Sequence, residues 1–154
     1  MVSSRALYDA WLDLMVGSRC LGCERPGALA CMPCLEQFPT EARLVRPTPC
    51  PAGFAECFAT VAYGGLAREM ILWHKERRAL RLQRPLGQLL SVSVASLLEH
   101  RQVAAEVKVL LVAAPSNPAV VRARGHDPVA AICRQAAVRL RASGQRVQVF
   151  PLLR

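Results

Sequence analysis

The chain has 154 residues, 53% of them apolar, which is enough to close one compact domain with a small appendage and too much for a disordered chain. Its net charge of +9 comes almost wholly from arginine, since Lys75 and Lys108 are the only lysines; this suits a polyanionic partner, nucleic acid or a phosphorylated metabolite, as well as a plain solvated basic surface. No run reaches the ~18 apolar residues of a membrane span, and Asp9 and Asp13 interrupt the N-terminal region that a secretion signal would need, so a cytoplasmic protein with no membrane partner is expected.

The first predicted element is a helix in which Leu7, Trp11, Leu14 and Met15 recur at helical spacing and Gly17 is the stop; it would pack the following segment onto the body. Next come two Cys-x-x-Cys pairs, Cys20 with Cys23 and Cys31 with Cys34. A reducing compartment and an odd total of seven cysteines argue against disulfides. A thioredoxin-like couple would sit where a strand enters a helix, whereas Gly22, Pro26, Gly27 and Pro33 mark tight loops. In each pair the second thiolate can turn back toward the first, so the four sulfurs can close one tetrahedral site. Zinc is the expected metal, with a structural role because no position stays open for a substrate. Iron in the same cage and unligated core cysteines are the alternatives. Cys50 and Cys57 lack knuckle spacing, and Cys133 is read as a small buried hydrophobe.

Residues 39–53, rich in proline, threonine and arginine, read as a linker, which divides the chain into a helix-plus-knuckle module at 1–50 and a main body at 51–154. The body is expected to run as a strand at 57–63, a short helix with a basic end at 66–78, and a core-facing helix behind Pro85 striped by Leu86, Leu89, Leu90, Val94, Leu97 and Leu98. A nearly all-apolar run at 107–115 suits a strand buried on both faces of a parallel sheet. Asp127 is the expected N-cap of the best-defined helix, with Pro128 at its first position, an inward row of Val129, Ile132, Ala136 and Leu140, and Gly144 as the stop. A strand at 146–153 completes a strand, helix, strand unit. The fold class is therefore α/β. The loop after the 107–115 strand lies at the sheet edge where α/β proteins bind ligands. In it Arg122 and Arg124 approach a helix N-terminus whose N–H groups favour an anion, and Ser116 and Asn117 add polar groups. A solvated basic loop is the plainer alternative, and His126 is read as structural.

Taken in order, "CLGC" and "CMPC", "YGGLAREMILWHKER", "RPLGQLL" and "AAPSNPAVVRARGHDP" resemble the ComF family of phosphoribosyltransferase-domain proteins, tied in some bacteria to competence and DNA uptake. The resemblance spans nearly the whole chain. It implies a zinc-knuckle N-terminus followed by a type I phosphoribosyltransferase fold. The loop of Pro115, Ser116, Arg122, Arg124 and Gly125 would handle the pyrophosphate of phosphoribosyl pyrophosphate or a related phosphorylated metabolite. Tyr63 and Lys75 match the family's tyrosine-glycine turn and lysine, with no role assigned. Family members continue to an Asp-Asp-x-x-Thr-Thr-Gly motif that holds ribose and its 5-phosphate. This chain has no Asp-Asp pair, and its only threonines are Thr40, Thr48 and Thr60.

The expectation is thus an N-terminal portion of such a protein with an incomplete sheet, without transferase activity alone, and with magnesium required only where a full site is formed. The strand at 146–153 would then be an unpaired edge, and poor solubility is expected. The alternative is a zinc-dependent basic module that binds single-stranded DNA or a competence partner, although aromatics at 5% leave little for base stacking.

Overall fold

The computed structural model describes residues 18–150, the side chains of Pro118 and Arg124 excepted. The helix expected around Leu7 to Met15 and the end of the expected 146–153 strand lie outside these residues. In chain order the elements are α1 (Met32–Leu35), β1 (Arg43–Val45), β2 (Cys57–Ala59), α2 (Gly65–Glu76), a 3-10 turn (Leu80–Leu82), α3 (Gln83–His100), β3 (Val109–Val112), α4 (Pro118–Arg124), α5 (Pro128–Ala142) and β4 (Val147–Phe150). Helix and strand are mixed, and the described strands form two sheets of two strands each.

The segment expected to be a linker carries a strand. Antiparallel pairing sets Arg43 opposite Ala59 and Val45 opposite Cys57, so the hairpin reaches across residue 50. Two serines one turn apart on α3 fix it: Ser96 Oγ accepts from Ala42 N at 3.0 Å, and Ser93 Oγ accepts from Thr60 N at 3.2 Å. Thr60, which is buried, donates its hydroxyl to Leu89 O at 2.8 Å and lies 2.8 Å from Ser93 Oγ. Glu56 completes the attachment by accepting from Arg101 Nε at 2.7 Å. Thr60→Val keeps the shape and strips one hydroxyl from this network, so urea unfolding is expected to show a loss of about 1–2 kcal/mol. No change would mean that the hairpin is held by other contacts.

Met70 of α2, Leu82 of the 3-10 turn and Leu86 of α3 form the first core cluster. Leu21, Leu29, Leu35 and Phe38, from the cysteine segment and the residues after it, pack against that cluster, so the segment is seated on the body through its apolar side chains. The second cluster joins Ala137 and Leu140 of α5 to Val147 of β4, with Val94, Val109, Leu111 and Val149 around it. Between the clusters α3 and α5 cross closely: a β-carbon on Gly87 would stand 2.4 Å from Gln135 Cβ and 3.1 Å from Ala136 N.

The expected strand, helix, strand unit forms, with β3 and β4 parallel and Val109 opposite Val147. Its first strand does not fit the expectation of burial on both faces. Val109 and Leu111 turn toward α5, but Leu110 and Val112 are exposed, as is Phe150 on β4. Parallel sheets are otherwise covered on both sides, and an open apolar face of this kind favours association. The connection after β3 also holds a helix where a loop was expected: Asn117 Oδ1 accepts from Ala119 N at 2.9 Å, and Gly125, at φ 73°, ends α4 in the left-handed conformation. Among the described residues no helix is long and apolar enough to cross a membrane.

Candidate metal centre

The four cysteines of the two pairs meet. Their Sγ atoms all lie within 4.8 Å of one another, and Cys23 and Cys31 Sγ are 3.6 Å apart. Zn–S bonds of about 2.3 Å in a tetrahedron would set sulfur-to-sulfur edges of ~3.8 Å, so little contraction is needed to close the set round one ion. No pair is bonded as a disulfide, and Cys50, Cys57 and Cys133 lie outside the cluster.

Backbone turns do the gathering. Glu24 N donates to Cys20 O at 2.8 Å and closes the first pair, with Glu24 in the left-handed region at φ 58°. Cys34 N and Leu35 N both donate to Cys31 O at 3.0 Å, closing the second pair as α1 begins at Met32 with Pro33 in its first turn. Leu21 N donates to Leu29 O at 2.9 Å and draws the pairs together across the reversal. Gly22 is needed for closeness: a β-carbon there would stand 3.2 Å from Cys34 Sγ and 3.4 Å from a Leu66 methyl.

The sulfurs are not equivalent. Cys20 is 1% exposed, and its Sγ accepts from Cys31 N at 3.4 Å and Gly22 N at 3.5 Å. Burial works to raise this thiol, but the backbone N–H groups of Cys31, Cys23 and Gly22 outweigh it and lower it to about 6. Cys34 is pushed up to about 12 by its thiol neighbours Cys31 and Cys23 and then by burial. Cys31 is raised as well: the N–H of Cys34 favours its thiolate, but burial and the facing thiol of Cys20 prevail. Four thiols this close cannot all ionise on their own account. A divalent cation would supply the opposing charge, and a donor set of four sulfurs this close together fits zinc in a structural role.

The second group of candidate residues is assembled differently from the expectation. The first N–H groups of α5 are already used, because Asp127 Oδ1 accepts from Val129 N at 3.0 Å and Ala130 N at 3.1 Å. Ser116 Oγ donates to the same carboxylate oxygen at 3.4 Å. The anion attraction expected at this helix end is therefore met from within the chain, and Ser116 serves the cap. Pro115 and Arg122 are exposed, Gly125 caps α4, and Arg124 is described by its backbone alone. Tyr63 is 65% exposed just ahead of α2, and Lys75 lies in the last turn of that helix.

Two residues that local patterns did not single out reach this corner from α2 and the turn after it. Arg78 Nη2 donates to Ala123 O at 3.1 Å, adding a guanidinium beside Gly125. His74 is fully buried, with Nδ1 3.3 Å from Ala79 O, Nε2 3.4 Å from Pro128 O, and its ring edge-on to His126. His126 is half-buried against that ring. The basic run at the end of "LWHKERR" was the one signal available, and it does not reveal partners some fifty residues away.

Burial, and secondarily the charge of His126, hold His74 below its ordinary value despite the two carbonyls that favour a proton. A base lowered by folding binds fewer protons folded than unfolded. Its contribution is therefore complete above the unfolded value of about 6.5 and is lost as pH falls through the lower folded value. Urea midpoints are expected to drop between pH 7.5 and pH 5 (about 2.5 units, spanning the ordinary histidine range), and His74→Gln should flatten that drop. An equal drop in the variant would assign the effect elsewhere.

No protein-family model matches the chain, and searches of the curated proteins and of the solved structures find no match.

Proposed function

We propose that this chain is a ComF-like protein, in which a structural zinc knuckle anchors a phosphoribosyltransferase-type α/β body, and that these 154 residues do not catalyse phosphoribosyl transfer alone. The observation that carries the reading is the convergence of Cys20, Cys23, Cys31 and Cys34 on one point, in a segment packed on the body's core. The parallel β3–β4 unit supports it, since its connection places Pro115, Ser116, Arg122, Arg124 and Gly125 after the first strand. Arg122 and Arg78 supply positive charge there for a phosphate, whereas ribose and magnesium lack the acidic pair and the threonine-glycine turn.

The test is to add phosphoribosyl pyrophosphate and magnesium to zinc-loaded protein and follow pyrophosphate release and binding. No release is expected, with weak binding that disappears as salt is raised. Turnover, or tight binding that ignores salt, would overturn the proposal. The charge of +9 favours a second reading, a zinc-dependent module for single-stranded DNA or a competence partner. An oligothymidine bound with a steep salt dependence would favour it, and retention of that binding after chelation would remove its metal dependence.

A further inference from the structure

We propose that Cys23 is an oxidation site through which hydrogen peroxide opens the metal centre, with Cys31 as its resolving partner; this rests on the zinc-knuckle reading. The four sulfurs differ sharply in access. Cys20 is 1% exposed and covered by the N–H groups of Gly22 and Cys31. Cys34 is half-buried, and its Sγ faces Gly22, where an added β-carbon would stand 3.2 Å from it. Cys31 is half-buried too. Cys23 alone in the cluster is exposed, and its sulfur is 3.6 Å from that of Cys31. An oxidant from solvent therefore meets Cys23 first, and the sulfur able to capture the product is already beside it. Exposed Cys50 provides the internal comparison, being outside any such cluster.

The Cys23 thiolate attacks one oxygen of the peroxide. The O–O bond breaks, hydroxide leaves and takes a proton from solvent, and Cys23 becomes a sulfenic acid. The Cys31 thiolate then attacks the Cys23 sulfur. An S–S bond forms, the S–O bond breaks, and the departing hydroxide takes a second proton. Two sulfurs have given up two electrons to one peroxide; two thiolates, one peroxide and two protons have become one disulfide and two waters. The sulfurs close from 3.6 Å to the roughly 2.05 Å of a disulfide, and the pair spans the reversal rather than a single Cys-x-x-Cys. Two of four ligands are then withdrawn. The reversal that sets Leu21 and Leu29 on the core loses its clamp, so oxidation is transmitted to the packing of Met70, Leu82 and Leu86.

The experiment begins with metal analysis of the purified reduced protein. A chain that holds no metal sinks the centre and the switch together, whereas a zinc-loaded chain that ignores peroxide sinks only the switch. Zinc-loaded protein is treated with substoichiometric hydrogen peroxide, released zinc is followed with a chromogenic chelator, and disulfides are mapped after alkylation. A Cys23–Cys31 disulfide is expected to appear in step with zinc release, both reversed by dithiothreitol and added zinc. Cys23→His, which keeps a metal ligand without the sulfur, should slow release by roughly tenfold or more. First oxidation at Cys20, Cys34 or Cys50, zinc retained once Cys23 is oxidised, or wild-type release from zinc-loaded Cys23→His would each overturn the proposal. If that variant fails to hold zinc, the disulfide mapped in the wild type decides.

Discussion

Cys20→Ser is expected to remove metal binding and to destabilise the chain by about 4 kcal/mol or more, the range reached when a structural metal is lost. Serine cannot supply the thiolate, and its hydroxyl would replace a fully buried sulfur toward which two backbone N–H groups point. The loss should extend beyond the cysteine segment, because Leu21, Leu29, Leu35 and Phe38 are held against Met70, Leu82 and Leu86 by the same turns. Cys23→Ser should be the mildest of the four replacements, since its exposed position lets water stand in as a ligand. Metal content and urea unfolding, measured with and without a chelator, check both statements. A chain that melts identically after chelation, or Cys20→Ser with wild-type stability, would reduce the cluster to ordinary core cysteines.

The chelated chain carries a further expectation, because its two most shifted thiols pull in opposite directions. Cys20, lowered from 9.0 to about 6, contributes stability that is complete above pH 9 and is lost as pH falls through 6. Cys34, raised from 9.0 to about 12, contributes stability that is complete below pH 9 and is lost as pH rises through 12. As far as these two groups decide it, the metal-free chain is most stable near their common unfolded value. With metal bound the acid limb should dominate, since protons compete for all four sulfurs.

The cysteine cluster was legible because its geometry is local: two short pairs, with glycine and proline between them, turn their thiols back toward one another. The helix from Pro128 was legible for the same reason, as Asp127 caps it and Gly144 follows its end at φ 92°. Cys133 and Ala136 are buried on it as expected. The strand at Arg43–Val45 was not legible. Three residues between prolines have no periodicity to read, and what makes them a strand is pairing with 57–59 and the reach of Ser96 to Ala42. Nor could the composition of "VLLV" show that one face of β3 lies open, since an unbroken apolar run reads alike whether one face is covered or two.

The anion site expected at the start of α5 shows a different limit. Reading Asp127 as a cap and the same helix end as an anion site assigns the first N–H groups twice, and the structure gives them to the carboxylate. The guanidinium that stands near that corner is that of Arg78, beside Gly125, and its hold on Ala123 O spans 45 positions. Contacts of that range are set by how α2 sits against α4 and α5, which no short window of sequence encodes.

Gly87→Ala is expected to destabilise the body by about 1–3 kcal/mol even though alanine is the better helix former by roughly 1 kcal/mol. The new β-carbon would stand 2.4 Å from Gln135 Cβ, 3.1 Å from Ala136 N and 3.2 Å from Gln135 C, so two of its three contacts are with backbone that no side-chain rotation can clear. Relief requires α3 and α5 to separate. Separation draws Ala136 and Ala137, both 0% exposed, away from their packing and loosens the cluster that holds β4 through Leu140 and Val147. It also displaces the start of α5, and with it Asp127, Ser116 and the loop at the end of β3. Gly87→Leu should therefore be worse than Gly87→Ala, whereas Gln88→Ala, one step round the same helix on its exposed side, should stay within about 0.5 kcal/mol of wild type. Urea midpoints for the three variants decide the matter. Stability that rises with helix propensity at position 87 would mean that the two helices do not meet there, and the parallel unit would lose the contact that seats it on the rest of the body.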